Sequence, residues 1–202
     1  MNPSNPRIDP RVVRSKAALR DALLQLMAER PFASISITDI VKLAKYNRGT
    51  FYANYAAKED LLDDVLSELM KDLVQAFRAP YEHAPTLNLS ELHANSVQIF
   101  EHIRNNAKLY SILSGNDVLP LLREKMFSTL KQIVKEEFVH DDPELDPELA
   151  VIFSIHALLG LIFHWIESGY ARPASYMQDQ LVKLVTRRPL AVKTVRPPRL
   201  GR

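Results

Sequence analysis

The chain has 202 residues, 47% of them hydrophobic and 25% charged, and it contains no cysteine. This length allows one or two domains with a sizeable core, and the lack of cysteine excludes disulfides, thiolate metal sites and cysteine nucleophiles. The net charge of +2 is unevenly distributed: residues 1–58 carry a net +6 and residues 187–202 another +6, which leaves −10 for the residues between them.

Four helices are predicted in the first 79 residues, and the few glycines with little strand-like alternation favour an all-α fold. Apolar residues at helical spacing predict a first helix over 11–29, which Pro31 ends. Thr38 is the expected N-cap of a second helix over 39–44, and Asn47 that of a third over 48–55. A fourth helix is predicted over 58–79. Two short helices joined by a tight turn are typical of a helix-turn-helix unit.

Further helices are predicted over 89–105, 107–113, 117–138, 147–169 and 174–187, separated by segments rich in Gly, Pro, Asn and Asp. The predicted organisation is therefore a helix-turn-helix head over 1–57, a helical body over 58–187, and a disordered basic tail over 188–202. The excess of positive charge in the head and tail is expected where a protein meets phosphate, although solvated surface charge without a partner would look the same.

The segment from Thr38 to Leu62 indicates function most directly. Ile40, Leu43 and Phe51 are expected to pack on the first helix. Arg48, Gly49 and Thr50 would begin the recognition helix in the major groove, where a long arginine reaches guanine. The residues expected to contact phosphates are Thr38, Tyr52, Asn54 and Lys58.

This segment resembles the TetR/AcrR family of transcription regulators, whose helix-turn-helix ends in a pattern like S/N-R-G-T-F-Y-x-H-F-x-x-K-E-x-L. The matching residues run from Asn47 to Tyr52 and from Lys58 to Leu61, and between them Tyr55 supplies an aromatic ring at the position of the family's Phe. The chain departs from the family where Lys45 and Tyr46 replace the usual small residues of the turn. Asn54 and Tyr55 replace the usual His and Phe, and Ala57 replaces a capping residue. Either Lys45 adopts the turn geometry at some cost, or the turn itself differs from that of the family.

The resemblance implies an all-α homodimer that binds a near-palindromic operator with one head on each half-site. It also implies that the body binds a small-molecule effector, that the fourth helix passes the signal to the heads, and that the effector releases the protein from DNA. Repression is the commoner mode in the family, although some members activate or bind co-repressors. No cofactor or metal is expected.

The apolar helix over 146–169 is the predicted spine of the body. With the helix over 175–185 it could form the four-helix bundle of a dimer, as in family members, or it could simply be the core of one subunit. The residues predicted for the interface are Ala157, Leu158, Gly160, Leu161, Leu181 and Leu184. His156 and His164 suit a structural or a pocket-lining role better than a metal site, because no paired ligand motif accompanies them.

A set of mostly aromatic residues is expected near the centre of the body, either lining an effector pocket or forming plain core: Phe100, Ile103, Tyr110, Phe127, Phe153, His156 and Trp165. The acidic body favours a neutral or cationic effector over an anionic one. No phosphate loop, nucleophile elbow or metal motif indicates an enzyme. The alternative function is a helical-bundle interaction protein without specific DNA binding. The polar N-terminus and the interrupted apolar run over 150–166 predict a cytoplasmic protein.

Overall fold

The computed structural model describes residues 9–82, 93–94, 97–138 and 144–186, and in these residues all regular structure is helical. The head contains α1 (Pro10–Met27), a short 3₁₀ turn (Phe32–Ser34), α2 (Ile37–Ala44) and α3 (Arg48–Tyr52). α4 (Lys58–Arg78) follows. The body adds five helices: α5 (Ile99–Asn105), α6 (Ala107–Ser114), α7 (Leu119–Glu137), α8 (Pro147–Glu167) and α9 (Ala174–Thr186). The all-α expectation is confirmed. The predicted tail over 188–202 lies outside the described residues.

Several helix ends follow directly from local sequence. Asp9 accepts a hydrogen bond from Arg11 N at the start of α1, and Asp146 accepts two from the first turn of α8. A proline occupies the first position of both helices, where its fixed φ suits the helix and its missing N–H costs nothing. The side chain of Asn47 accepts from Thr50 N at 2.8 Å, which confirms it as the N-cap of α3.

Two predictions in the head were wrong. α2 begins at Ile37 rather than Asp39, because Ser36 is its N-cap: the Ser36 side chain accepts from Asp39 N, and the Asp39 carboxylate accepts from Ser36 N. This reciprocal capping places Thr38 inside the first turn. Leu43 is 38% exposed, and its neighbour Val41 is buried instead.

The ends of several predicted helices also differ from the structure. α3 was predicted over 48–55 but ends at Tyr52. α1 ends at Met27, two residues before the predicted end. α5 begins at Ile99, whereas the predicted helix began at 89, and most of the intervening residues lie outside the described part of the chain. The start of α4 at Lys58 is as predicted, even though Ala57 has no capping group, because the Asp60 carboxylate accepts from the N–H groups of Ala56 and Ala57.

One continuous apolar core runs from the head into the body. α4 connects the two parts, since its buried stripe packs on α1 on one side and on α5 and α7 on the other. Leu23 and Phe51 are fully buried in the head, and Leu122 and Ile162 are fully buried in the body. Shared burial of this kind makes the position of the head dependent on the position of the body helices.

Candidate nucleic-acid interface

The turn between α2 and α3 adopts the sharp geometry of a helix-turn-helix. Lys45 lies in the left-handed region with φ 59° and ψ 37°. A residue with a Cβ adopts this conformation at a cost of about 1 kcal/mol, so the surrounding packing must hold it. Phe51, fully buried, anchors the following helix, and its ring packs 5.8 Å from that of Tyr55.

The first turn of α3 presents its side chains outward. Arg48 and Gly49 are exposed and Thr50 is half-buried. The Arg48 guanidinium donates to the hydroxyl of Thr38, so the two predicted DNA contacts meet on one surface formed by α2 and α3. Gly49 has a local reason to be glycine, because a Cβ there would lie 3.2 Å from the Asn47 oxygen that caps the helix.

The surface around this turn is basic. Lys42, Lys45 and Arg48 are exposed, and among the described residues none of the three forms an ion pair. The nearby carboxylate of Asp39 is paired with Arg30 at 3.0 Å. Lys42 and Lys45 were not among the predicted contacts. The polar face of α2 was the sequence signal that could have identified Lys42, which lies across the helix from the buried Ile40. Lys45 lies in the turn after α2, where helical periodicity gives no such signal.

Two of the predicted phosphate contacts are engaged inside the head. The Lys58 ammonium donates to the carbonyls of Phe32, Ala33 and Ile35 at 2.8, 3.2 and 2.8 Å, which uses its three donors. The side-chain amide of Asn54 donates to Thr50 O at 2.7 Å and approaches Ser15 Oγ at 3.4 Å. These contacts engage both side chains within the head, and the phosphate role of Lys58 and Asn54 stays a prediction.

The other two predicted phosphate contacts, Thr38 and Tyr52, are on the surface. Tyr52 is 56% exposed. These two side chains keep their predicted role as a proposal, together with the exposed lysines at the turn.

A polar cluster around Asp64 fixes the angle between α1, the end of the helix-turn-helix and α4. Asp64 Oδ2 accepts from the Tyr55 hydroxyl at 2.5 Å and from Arg20 Nη2 at 2.8 Å, and Lys16 lies 3.6 Å away. Burial by itself would raise the pKa of Asp64, but the hydrogen bonds from Tyr55 and Arg20 outweigh it and lower the pKa below its ordinary value. Burial and the bond to Asp64 raise the pKa of Tyr55, which stays protonated as a donor.

Family models match both parts of the chain. Residues 19–65 match "Bacterial regulatory proteins, tetR family", and residues 90–187 match "Transcriptional regulator C-terminal region" of the same family. The chain belongs to the TetR family. The family expectation is thereby confirmed.

The individual relatives share little sequence identity with this chain. The chain is 25% identical over 185 residues to the HTH-type transcriptional regulator YxbF of Bacillus subtilis (strain 168), with 89% of this chain covered but only 46% of YxbF, so it spans about half the length of that relative. A putative TetR-family regulator from Syntrophomonas wolfei superposes with a TM-score of 0.63 at 18% identity, covering 89% of this chain and 99% of the other. The fatty acid degradation regulator FadR from Bacillus halodurans superposes with a TM-score of 0.61 at 19% identity, covering 92% of this chain and 97% of the other.

In this TetR-family chain, the residues predicted for the effector pocket fall into two groups. Phe100, Ile103, Tyr110 and Trp165 are buried, and the rings of Phe100 and Trp165 pack edge to face at 5.7 Å. Phe127 is half-buried, and its ring lies 4.6 Å from the exposed imidazole of His156. Phe153 is 76% exposed. Placing Phe153 and His156 near the centre of the body was therefore wrong, because this side of α8 faces outward.

A cavity of about 550 Å³ lies at the junction of head and body. It opens between α1 and the α5–α6 corner, and its lining includes the apolar Leu24, Leu109 and Ile112 and the charged Asp21 and Lys108. It shares no residue with the predicted pocket set. The pocket role of the four buried residues of that set stays a prediction.

Buried polar groups lie next to Ile103 in the body. His102 Nε2 and the Tyr110 hydroxyl are 3.0 Å apart, and the Asn106 amide approaches His102 Nδ1 at 3.3 Å. Burial lowers the pKa of His102, so the imidazole stays neutral and can accept from Asn106 while it donates to Tyr110.

α8 combines a buried face with an exposed apolar face. Leu158 is buried and Leu161 half-buried, whereas Leu149, Phe153, Ala157 and Gly160 are exposed.

By length and composition α8 is apolar enough to cross a membrane, a test that core helices also pass. In the described residues no group of three potential metal ligands comes together, and His156 and His164 are both exposed.

Proposed function

We propose that this chain is a cytoplasmic homodimeric repressor that binds a near-palindromic operator and leaves it when a small molecule binds the body. The observation that carries the proposal is the exposed start of α3, with Arg48 and Thr50 on a basic surface and no carboxylate paired to Arg48 in the described residues. An unpaired arginine at the N-terminus of a recognition helix can donate two hydrogen bonds to a guanine.

The length and charge of each side chain on this surface indicate which part of the DNA it would contact. Arg48 and Thr50 would read base edges, with Gly49 allowing the helix to approach closely. Lys42, Lys45, Tyr52 and Thr38 would contact phosphates and set the register. Lys42 in the last turn of α2 and Lys45 at its C-cap add attraction that depends on salt and not on sequence.

The exposed apolar face of α8 supports a dimer. Phe153 and Leu149 would be costly to leave in water, and Ala157 and Gly160 let a second helix approach closely. On α9, Leu184 is 61% exposed, and Leu181 is half-buried. A two-fold contact through α8 and α9 would bury these side chains and present two heads to the two half-sites.

The DNA-binding proposal is tested by selecting bound duplexes from a random pool at two salt concentrations. We expect enrichment of an inverted repeat that survives the higher salt. Arg48→Ala should then cost about 1–3 kcal/mol on the selected operator and relax one position, whereas Lys42→Ala should weaken selected and random duplexes alike. Binding that enriches no sequence and vanishes at high salt would favour the alternative, an interaction protein without specific DNA binding.

The dimer proposal is tested by Phe153→Glu, with mass measured in solution by sedimentation. Phe153 is a better site for this charge than Leu158, because Leu158 is buried in its own subunit and a charge there would disturb the fold. We expect a folded monomer. A variant that remains dimeric would show that α8 does not form the interface.

A further inference from the structure

The turn that connects α1 to α2 in the head is held by two residues of the body. Phe32 N donates to Asp117 Oδ1 at 2.8 Å and lies 2.9 Å from Asn116 Oδ1, and Ala33 N donates to Asp117 Oδ2 at 3.0 Å. We call Asn116 and Asp117 the clasp. They lie more than 80 residues from the turn in sequence, so only the tertiary fold brings them to the head.

The clasp also caps the end of α1. The Asn116 side-chain amide donates to Met27 O at 2.9 Å and to Arg30 O at 3.1 Å. Carbonyls at the C-terminus of a helix have no partner within the helix, and here the body supplies the donors. Asn116 therefore binds the end of α1 with its nitrogen and faces the turn with its oxygen.

The other side of the same turn is held by the first residue of α4. Lys58 donates to the carbonyls of Phe32, Ala33 and Ile35, and its ammonium lies 4.5 Å from the centre of the Phe32 ring. A cation thus binds the carbonyls of the turn while a carboxylate binds its N–H groups. The turn is fixed between the start of α4 and the loop before α7.

The clasp sits where two body helices meet. α6 ends at Ser114, α7 begins at Leu119, and Asn116 Oδ1 also accepts from Asp117 N at 2.9 Å. A Cβ on Gly115 would lie 3.1 Å from Ser111 O, so the chain turns tightly at this corner. Because the clasp lies between α6 and α7, a shift of either helix displaces it. Both helices pack on α8.

We propose that Asn116 and Asp117 are positioning residues for DNA recognition. They hold the head in a fixed orientation on α6 and α7, and they give the body a second connection to α2 and α3, separate from α4. The effect on operator binding rests on the proposed function, whereas the fixed orientation does not. A preorganised pair of heads loses less freedom when it binds two half-sites.

The orientation is tested with spin labels on the full-length chain. The absence of native cysteine allows labels at exposed Ala53→Cys in the head and Ser128→Cys on α7, with labelled chains diluted in unlabelled protein. We expect the Asn116→Ala/Asp117→Ala variant to broaden the distribution of distances between the labels. The matched control is Asp146→Ala, which removes a carboxylate that also accepts two backbone N–H groups but lies wholly in the body.

An unchanged distribution in the double variant would overturn the proposal. Equal broadening in Asp146→Ala would overturn it as well, because it would show general loosening. Fluorescence of Trp165, the single tryptophan and a buried one, checks that the body of each variant is folded.

The second arm measures DNA affinity with Asn116→Ala, which leaves the charge unchanged. We expect affinity for the selected operator to fall about five- to tenfold, at the low end of couplings between distant sites, and affinity for a random duplex to stay the same. Equal changes on both duplexes, or no change on the operator, would overturn the positioning role. If the wild-type chain selects no operator, the proposed function fails, and the label distances alone decide on the clasp.

Discussion

Replacing Lys58 by methionine distinguishes the two roles considered for this residue. The sequence pattern suggested a phosphate contact, whereas the structure places the ammonium against three carbonyls of the α1–α2 turn. Methionine keeps the length and the apolar stem of the side chain, so the substitution removes the charge and the donors alone. The structure predicts a loss of stability and no specific loss of phosphate attraction.

The size of the loss follows from the contacts. Hydrogen bonds from a charged donor contribute roughly 1.5–3 kcal/mol each when sheltered, and only the bonds to Phe32 and Ile35 are partly buried. The contact with the Phe32 ring adds about 0.5–1 kcal/mol. Ordering the long side chain costs up to about 2 kcal/mol of rotamer entropy. The net loss for Lys58→Met is therefore about 1.5–5 kcal/mol.

The assay is chemical denaturation of the full-length protein, combined with DNA affinity measured over a range of salt concentrations. Lys71→Met is the control, because Lys71 is an exposed lysine on the same helix that pairs only with Glu68 in the described residues. It should change stability by less than about 0.5 kcal/mol. A phosphate contact would instead contribute about 0.9 to the slope of log K against log salt. An unchanged denaturation midpoint with a slope reduced by about that amount would refute the structural reasoning.

Three further substitutions test the head and the body. Asp64→Asn should destabilise the fold by about 1–3 kcal/mol at pH 7. Because the pKa of Asp64 is lowered in the folded chain, its contribution to stability is present above the ordinary carboxyl pKa and is lost as the pH falls through the folded pKa. Denaturation at several pH values should therefore show the difference from wild type shrinking in acid. Lys45→Gly should stabilise the chain by about 0.5–1 kcal/mol, because glycine adopts positive φ without the Cβ penalty; a lower melting temperature would contradict this. His102→Gln should flatten the decline of stability below pH 6.5, because burial lowers the folded pKa of His102 and only the unfolded chain takes up a proton there; an unchanged decline between pH 7 and 5 would assign it to other groups.

The sequence was sufficient for the helices and for the helix-turn-helix. Their signals are local: a capping residue such as Asn47, a proline such as Pro31 that ends a helix, and apolar spacing that marks the buried face of α4. Helix ends were less well predicted where two capping residues compete, as at Ser36 and Thr38. The reciprocal pair formed by Ser36 and Asp39 satisfies two donors at once, and this advantage depends on three-dimensional geometry.

Side-chain direction on long apolar helices could not be predicted from the sequence. α8 is apolar all round, so spacing gives no preferred face, and Phe153 was assigned to the interior although it is exposed. Only packing against α7 and α6 decides which side of α8 is buried. The mean hydropathy of a helix shows that it must be covered, but not by which neighbour.

The partners of charged and polar side chains in the head were decided by the tertiary structure alone. In a helix-turn-helix pattern, a lysine can contact a DNA phosphate or donate to backbone carbonyls of its own chain. Lys58 donates to carbonyls, because the turn after α1 folds back onto the start of α4. Asn116 and Asp117 look like ordinary turn residues in the sequence, since Asn and Asp favour loops wherever they occur. The sequence determined which helices form and that they carry a DNA-binding motif. The tertiary structure determined which side chains connect the head to the body, because contacts across more than 80 residues exist only once the chain has folded.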